Sequence, residues 1–190
     1  HTRLRCDWSS DVCSSDFETF VAALPHVYIR FGMWADILEL EQPEDKKLYT
    51  TTNALILYAR AVALANLGKH DDAQSVKAEF EAAYANVPEE RMLFNNTARD
   101  VLAVAQQMML GEIAFKAGQR KEGLDHLRAA VALDDGLMYE EPWSWPQPTR
   151  HALGALLIEA GDYDEAESVY RADLGRSEEH TSELQSHLNL

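Results

Sequence analysis

The residues best equipped for chemistry lie in one short stretch, Tyr139-Glu140-Glu141-Pro142-Trp143-Ser144-Trp145-Pro146, where aromatic rings and carboxylates alternate with prolines. Two tryptophans and a tyrosine are costly to leave wholly in water. They either pack onto neighbouring elements as a staple or form a surface that another molecule covers. On the second reading the rings are a rigid anchor for a peptide, and Glu140 and Glu141 select a basic partner. The acidic pairs Asp134-Asp135 and Glu140-Glu141 flank a turn. Carboxylates this close suit a hard cation, but the spaced ligand ladder of a calcium loop is missing, so a solvated acidic loop is expected.

Catalytic constellations are not found. The sequence has no H-E-x-x-H, no phosphate-cradling G-x-x-x-x-G-K-[ST], no dinucleotide fingerprint and no G-x-S-x-G elbow. His26, His70, His126 and His151 stand far apart with no partner at i,i+3 or i,i+4, so surface or hydrogen-bonded structural roles are expected rather than metal ligation. Glu112 and Glu159 do not occupy equivalent positions, so no acid and base pair is expected. Arg30 and Arg60 are single cations inside apolar stretches, expected to snorkel or to pair with a carboxylate of a neighbouring hairpin. The expectation is a non-enzymatic protein with no cofactor and no metal.

The chain that must position these residues has 190 residues, 46% apolar and 26% charged, enough for one sizeable core. Its 17 basic against 32 acidic side chains give a formal charge of −15, which disfavours nucleic acid and anionic lipid as partners. No run approaches the roughly 18 apolar residues of a membrane span. Both ends differ from the interior. Residues 7–16, DWSSDVCSSD, and 176–187, RSEEHTSELQSH, resemble translated sequencing-library adapter read in the two directions. Residues 1–16 and 176–190 are therefore expected to be artefactual tails without helical period. Cys6 and Cys13 both fall in the first, and no thiol chemistry is assigned to them.

Between the tails, Gly32, Gly68, Gly118 and Gly161 each sit between two stretches of apolar periodicity, as glycines do at helix-to-helix turns. In three cases a small residue lies seven positions before the glycine (Ala61, Gly111, Gly154) and another five after it (Ala73, Gly123, Ala166). Small side chains at those offsets let two antiparallel helices approach closely, so the unit is an αα-hairpin. Hairpins are expected at about 17–42, 50–88, 97–135 and 148–175. Thr97 with Asp100 fits a helix-capping pattern and predicts a helix from there to about Lys116. Residues 134–148 read as an inserted ordered loop, with Pro148 placed to open the next helix. No strands are expected.

The last hairpin, with Leu153-Gly154, Gly161, Tyr163, Ala166 and Tyr170, resembles the tetratricopeptide repeat. The preceding one resembles it through Leu110-Gly111, Gly118, Gly123, Leu127 and Ala130. The Gly68 hairpin is a weaker copy with Arg60 where leucine is usual. The Gly32 hairpin departs most, with Pro25 and Ile37 at the small-residue offsets. The glycines are spaced more widely than the roughly 34-residue period of that repeat, so helices or loops must be longer.

The resemblance implies an all-α fold, a right-handed superhelix (α-solenoid) of stacked antiparallel hairpins. It implies a protein–protein interaction scaffold that takes a peptide or helix in its groove. It also places Tyr58, Met108 and His151 on the groove wall, although periodicity alone allows them to be core. With Tyr139, Glu140, Glu141, Trp143 and Trp145 they form the expected partner-binding set. The alternative reading is a helper or regulatory region of a longer enzyme or signalling protein. Truncated hairpins at the two ends would favour self-association.

Overall fold

The computed structural model describes residues 23–140 and 143–188, with side chains to residue 175. Its helices are α1 (Ala23–Arg30), α2 (Trp34–Leu38), α3 (Thr50–Asn66), α4 (His70–Ala85), α5 (Ala98–Lys116), α6 (Arg120–Asp135), α7 (Thr149–Ala160) and α8 (Tyr163–Leu188). The fold is all-α, built from neighbouring helix pairs. Contacts divide the chain after Gln147 into two compact units.

In the first unit α3 and α5 form the core, because they are apolar around most of their circumference. From Ala54 to Ala65 every residue of α3 except Arg60 is buried, and α3 packs on both α4 and α5. The outer helices bury only a stripe, Ala73 and Phe80 on α4, and Gly123, Leu124, Leu127 and Ala130 on α6. Arg60 donates through its guanidinium to the Leu40 carbonyl, tying α3 to the segment that leaves α2, so that a main-chain oxygen takes the place of the carboxylate expected as its partner.

The four turn glycines have φ of 64°, 73°, 88° and 89°. In each turn the residue after the glycine donates to the carbonyl five positions earlier: Met33 to Tyr28, Lys69 to Leu64, Gln119 to Ala114 and Asp162 to Leu157, all at 2.9 Å. This is the bond that closes a helix end when the next residue turns left-handed, a conformation glycine adopts without penalty. The small residues flanking the turns are all buried. Between α5 and α6 the approach is main chain to main chain, since a Cβ on Gly123 would lie 2.7 Å from the Phe115 nitrogen and 2.8 Å from the Gly111 oxygen.

The helix start at residue 98 is set by Thr97, whose hydroxyl oxygen accepts from the Asp100 amide at 3.1 Å. Just before it the structure corrects the expectation of no strands. Two residues on each side, β1 (Met92–Leu93) and β2 (Asn96–Thr97), pair antiparallel around Phe94 and Asn95. Phe94 takes a φ of 52°, unusual for a bulky residue and a source of local strain.

The second unit is the hairpin of α7 and α8. Leu153, Leu156, Leu157 and Ala166 are buried, whereas Tyr163 is two-thirds exposed. Gly154 leaves room for the Tyr170 ring, which a Cβ would meet at 2.5 Å. α8 also corrects the expectation for 176–187: the helix continues past Gly175 to Leu188. Glu, Gln and Leu in that stretch are good helix formers, so propensity extends the rod where periodicity is weak. Residues 1–16, with both cysteines, lie outside the described residues.

Candidate functional site

The candidate site is the insert between α6 and α7, and it is divided between buried and outward-facing residues. Trp145 is 2% exposed. Its indole meets His26 of α1 edge-on (centroids 4.6 Å apart, planes at 85°) and Tyr58 of α3 at 5.5 Å and 62°. His26 and Tyr58 are themselves 6.0 Å apart, which closes the trio. Such tilted pairs add about 0.5–1.5 kcal/mol each beyond burial. Met138, Tyr139 and Trp143 stay exposed, the last two by about half.

The other end of the insert is held by the short hairpin. The Asn96 side chain engages both main-chain polar groups of Met138: its Oδ1 accepts from the Met138 amide at 2.7 Å, and its Nδ2 donates to the Met138 carbonyl at 2.9 Å. Asn95 donates through its side chain to the Tyr139 carbonyl at 3.1 Å, and its amide donates to Glu140 Oε2 at 2.6 Å. Asn96 Nδ2 also reaches Ser144 Oγ at 3.3 Å, and that hydroxyl donates to the Leu93 carbonyl at 3.5 Å. The strained turn at Phe94 thus presents both asparagines to the insert.

Several expected positions need correction. Tyr58 and Met108 are 1% exposed and belong to the core, where Tyr58 is covered by the chain's own Trp145. Glu140 is not a solvated loop carboxylate but is 7% exposed, drawn inward by the Asn95 amide. Trp145 is an internal anchor rather than a surface for a partner. Tyr139 and Trp143 remain accessible, while Glu141 lies outside the described residues. His151, in the second unit, is partly exposed, and its Nε2 lies 2.9 Å from Asp173 Oδ2. The sequence reading missed His26, Asn95, Asn96 and Ser144. Asn95 and Asn96 lie directly before the capping residue Thr97 in the sequence.

Burial dominates the electrostatics. Desolvation lowers the His26 pKa to about 4, so its ring is neutral near pH 7. Burial, and secondarily Glu112, push the Tyr58 hydroxyl well above its ordinary value. His26 Nδ1, Glu140 Oε1 and Trp145 Nε1 are buried and have no hydrogen-bond partner among the described residues. The remaining histidines do not converge: His70 is exposed at the start of α4, and His126 pairs with Gln107 at 2.7 Å. Among the described residues no group of three or more His, Cys, Asp or Glu side chains could hold a metal ion. No helix among them is long and apolar enough to cross a membrane.

Paired helices closed by left-handed glycine turns, with small residues at the crossings, define an α-helical repeat protein. Two stretches, residues 54–76 and 147–172, match the family model of the tetratricopeptide repeat, covering α3 with the start of α4, and α7 with the first turns of α8. Repeats of this kind generally mediate protein–protein interactions. No curated protein and no solved structure matches the chain.

Proposed function

We propose that the protein is a non-enzymatic interaction scaffold that binds an extended peptide or a helix of a partner protein. One observation supports this most. The first unit already holds a non-helical piece of chain by the main chain of Met138 and Tyr139, through Asn95 and Asn96, and by one buried ring, Trp145. Main-chain recognition tolerates different sequences, and a preformed aromatic seat supplies selectivity. Tyr139 and Trp143 form the accessible rim of this region. The charge of −15 favours partners whose contact surface is neutral or basic overall.

A displayed library of linear peptides selected against the chain tests the reading. The expected result is a consensus that binds one to one in calorimetry and perturbs amide resonances of residues 92–97 and 138–147. A selection without consensus, or perturbations confined to other faces, would count against it.

A further inference from the structure

We propose that Met138, Glu140 and Trp145 act as a displaceable internal ligand, and that the partner is a segment repeating their pattern: a carboxylate and, five residues further on, an indole or another large aromatic ring. This deepens the peptide-binding reading and rests on it.

The seat has three features in fixed order. Asn96 takes both main-chain polar groups of one residue, Met138. Two residues on, the Asn95 amide donates to a carboxylate oxygen of Glu140. Five residues beyond that, His26 and Tyr58 hold the ring of Trp145. None of these contacts requires the seated segment to be covalently attached. They specify a main chain, one carboxylate and one ring, in a stretch that is otherwise uncharged or basic to suit the acidic chain.

The resident segment fills the seat imperfectly. Among the described residues Glu140 Oε1, Trp145 Nε1 and His26 Nδ1 find no hydrogen-bond partner although each is buried. A buried polar atom that has given up water for nothing is a cost that departure of the segment relieves. Tyr139 and Trp143 are about half exposed and Met138 more so, so these residues are held from one side. The turn that grips it is strained at Phe94. A free segment that also satisfied the unpartnered carboxylate oxygen, for instance with a neighbouring Lys or Arg of its own, would outcompete the resident.

The test replaces residues 138–145 with a Gly/Ser stretch of equal length and adds a synthetic peptide of residues 137–147. The peptide is expected to bind the replaced chain saturably and raise its Tm. It should bind at least tenfold more weakly to the intact chain, where the resident competes, and at least tenfold more weakly to the replaced chain when it carries Trp145→Ala or Glu140→Gln. Equal binding to the intact and replaced chains, or indifference to Trp145→Ala, would overturn the proposal. Where the replaced chain does not fold, Asn96→Ala in the full chain serves. Hydrogen exchange across 138–147 should then accelerate at least tenfold while α3 and α5 are unchanged, and exchange of the insert in step with those helices would overturn it. A library consensus unlike the insert, with no binding of the 137–147 peptide, would remove this inference and leave the broader reading intact. Loss of both would remove both.

Discussion

Acid should loosen the first unit through a single imidazole. In the folded chain His26 sits between Tyr58 and Trp145 with a pKa lowered to about 4, against an ordinary 6.5. Neither facing ring carries charge between pH 4 and 8, because burial raises the Tyr58 hydroxyl still further. The folded state therefore refuses a proton that the unfolded state accepts below pH 6.5. Stability must fall as pH drops through that value and level off below about 4. At about 1.4 kcal/mol per pH unit the ceiling is about 3 kcal/mol, and about 2 kcal/mol is already lost at pH 5. Urea unfolding at pH 8, 7, 6 and 5 measures this for the wild type and for His26→Phe, which keeps an aromatic ring but cannot titrate. The carboxylates titrate in both chains, so the difference between the curves isolates the imidazole. The wild type should lose about 2 kcal/mol more than the variant between pH 8 and pH 5, and parallel curves would show that His26 is not held neutral by burial.

Three further outcomes follow from the packing. Gly123→Ala, which would gain up to about 1 kcal/mol in an open helix, should instead lose about 1–3 kcal/mol because main-chain atoms block its Cβ; thermal unfolding decides the sign. Trp145→Ala should lower stability by roughly 3–5 kcal/mol in urea unfolding, whereas Trp143→Ala, at a half-exposed position, should stay within about 1 kcal/mol. Thr97→Ala removes the cap of α5 and should cost about 0.5–2 kcal/mol by the same measurement.

Local order was legible in the sequence wherever one short stretch carried the whole instruction. The turn glycines, the small residues at the crossings, and the Thr97 and Asp100 pair each act within a single hairpin or helix end, and each is realised. α8 ran further than its periodicity indicated, because propensity alone sustains a helix where no apolar stripe marks it. The candidate site was legible only in outline. The aromatic stretch announced itself by composition, but which ring turns inward depends on His26 and Tyr58, which are far away in the chain. Tyr58 illustrates the difficulty. An aromatic side chain at a groove position reads the same whether the space above it is empty or filled by a distant indole. The asparagine pair was visible too, yet its grip on Met138 depends on a two-residue ladder too short to leave an alternating pattern.

The insert is fastened at two points, Met138 by Asn96 and Trp145 by His26 and Tyr58. Were the indole to leave while Met138 stayed held, seven residues of chain would let the ring swing up to about 23–25 Å from the remaining anchor. Loosening one contact would thus turn a seated ring into a tethered one, able to return without diffusing from solution.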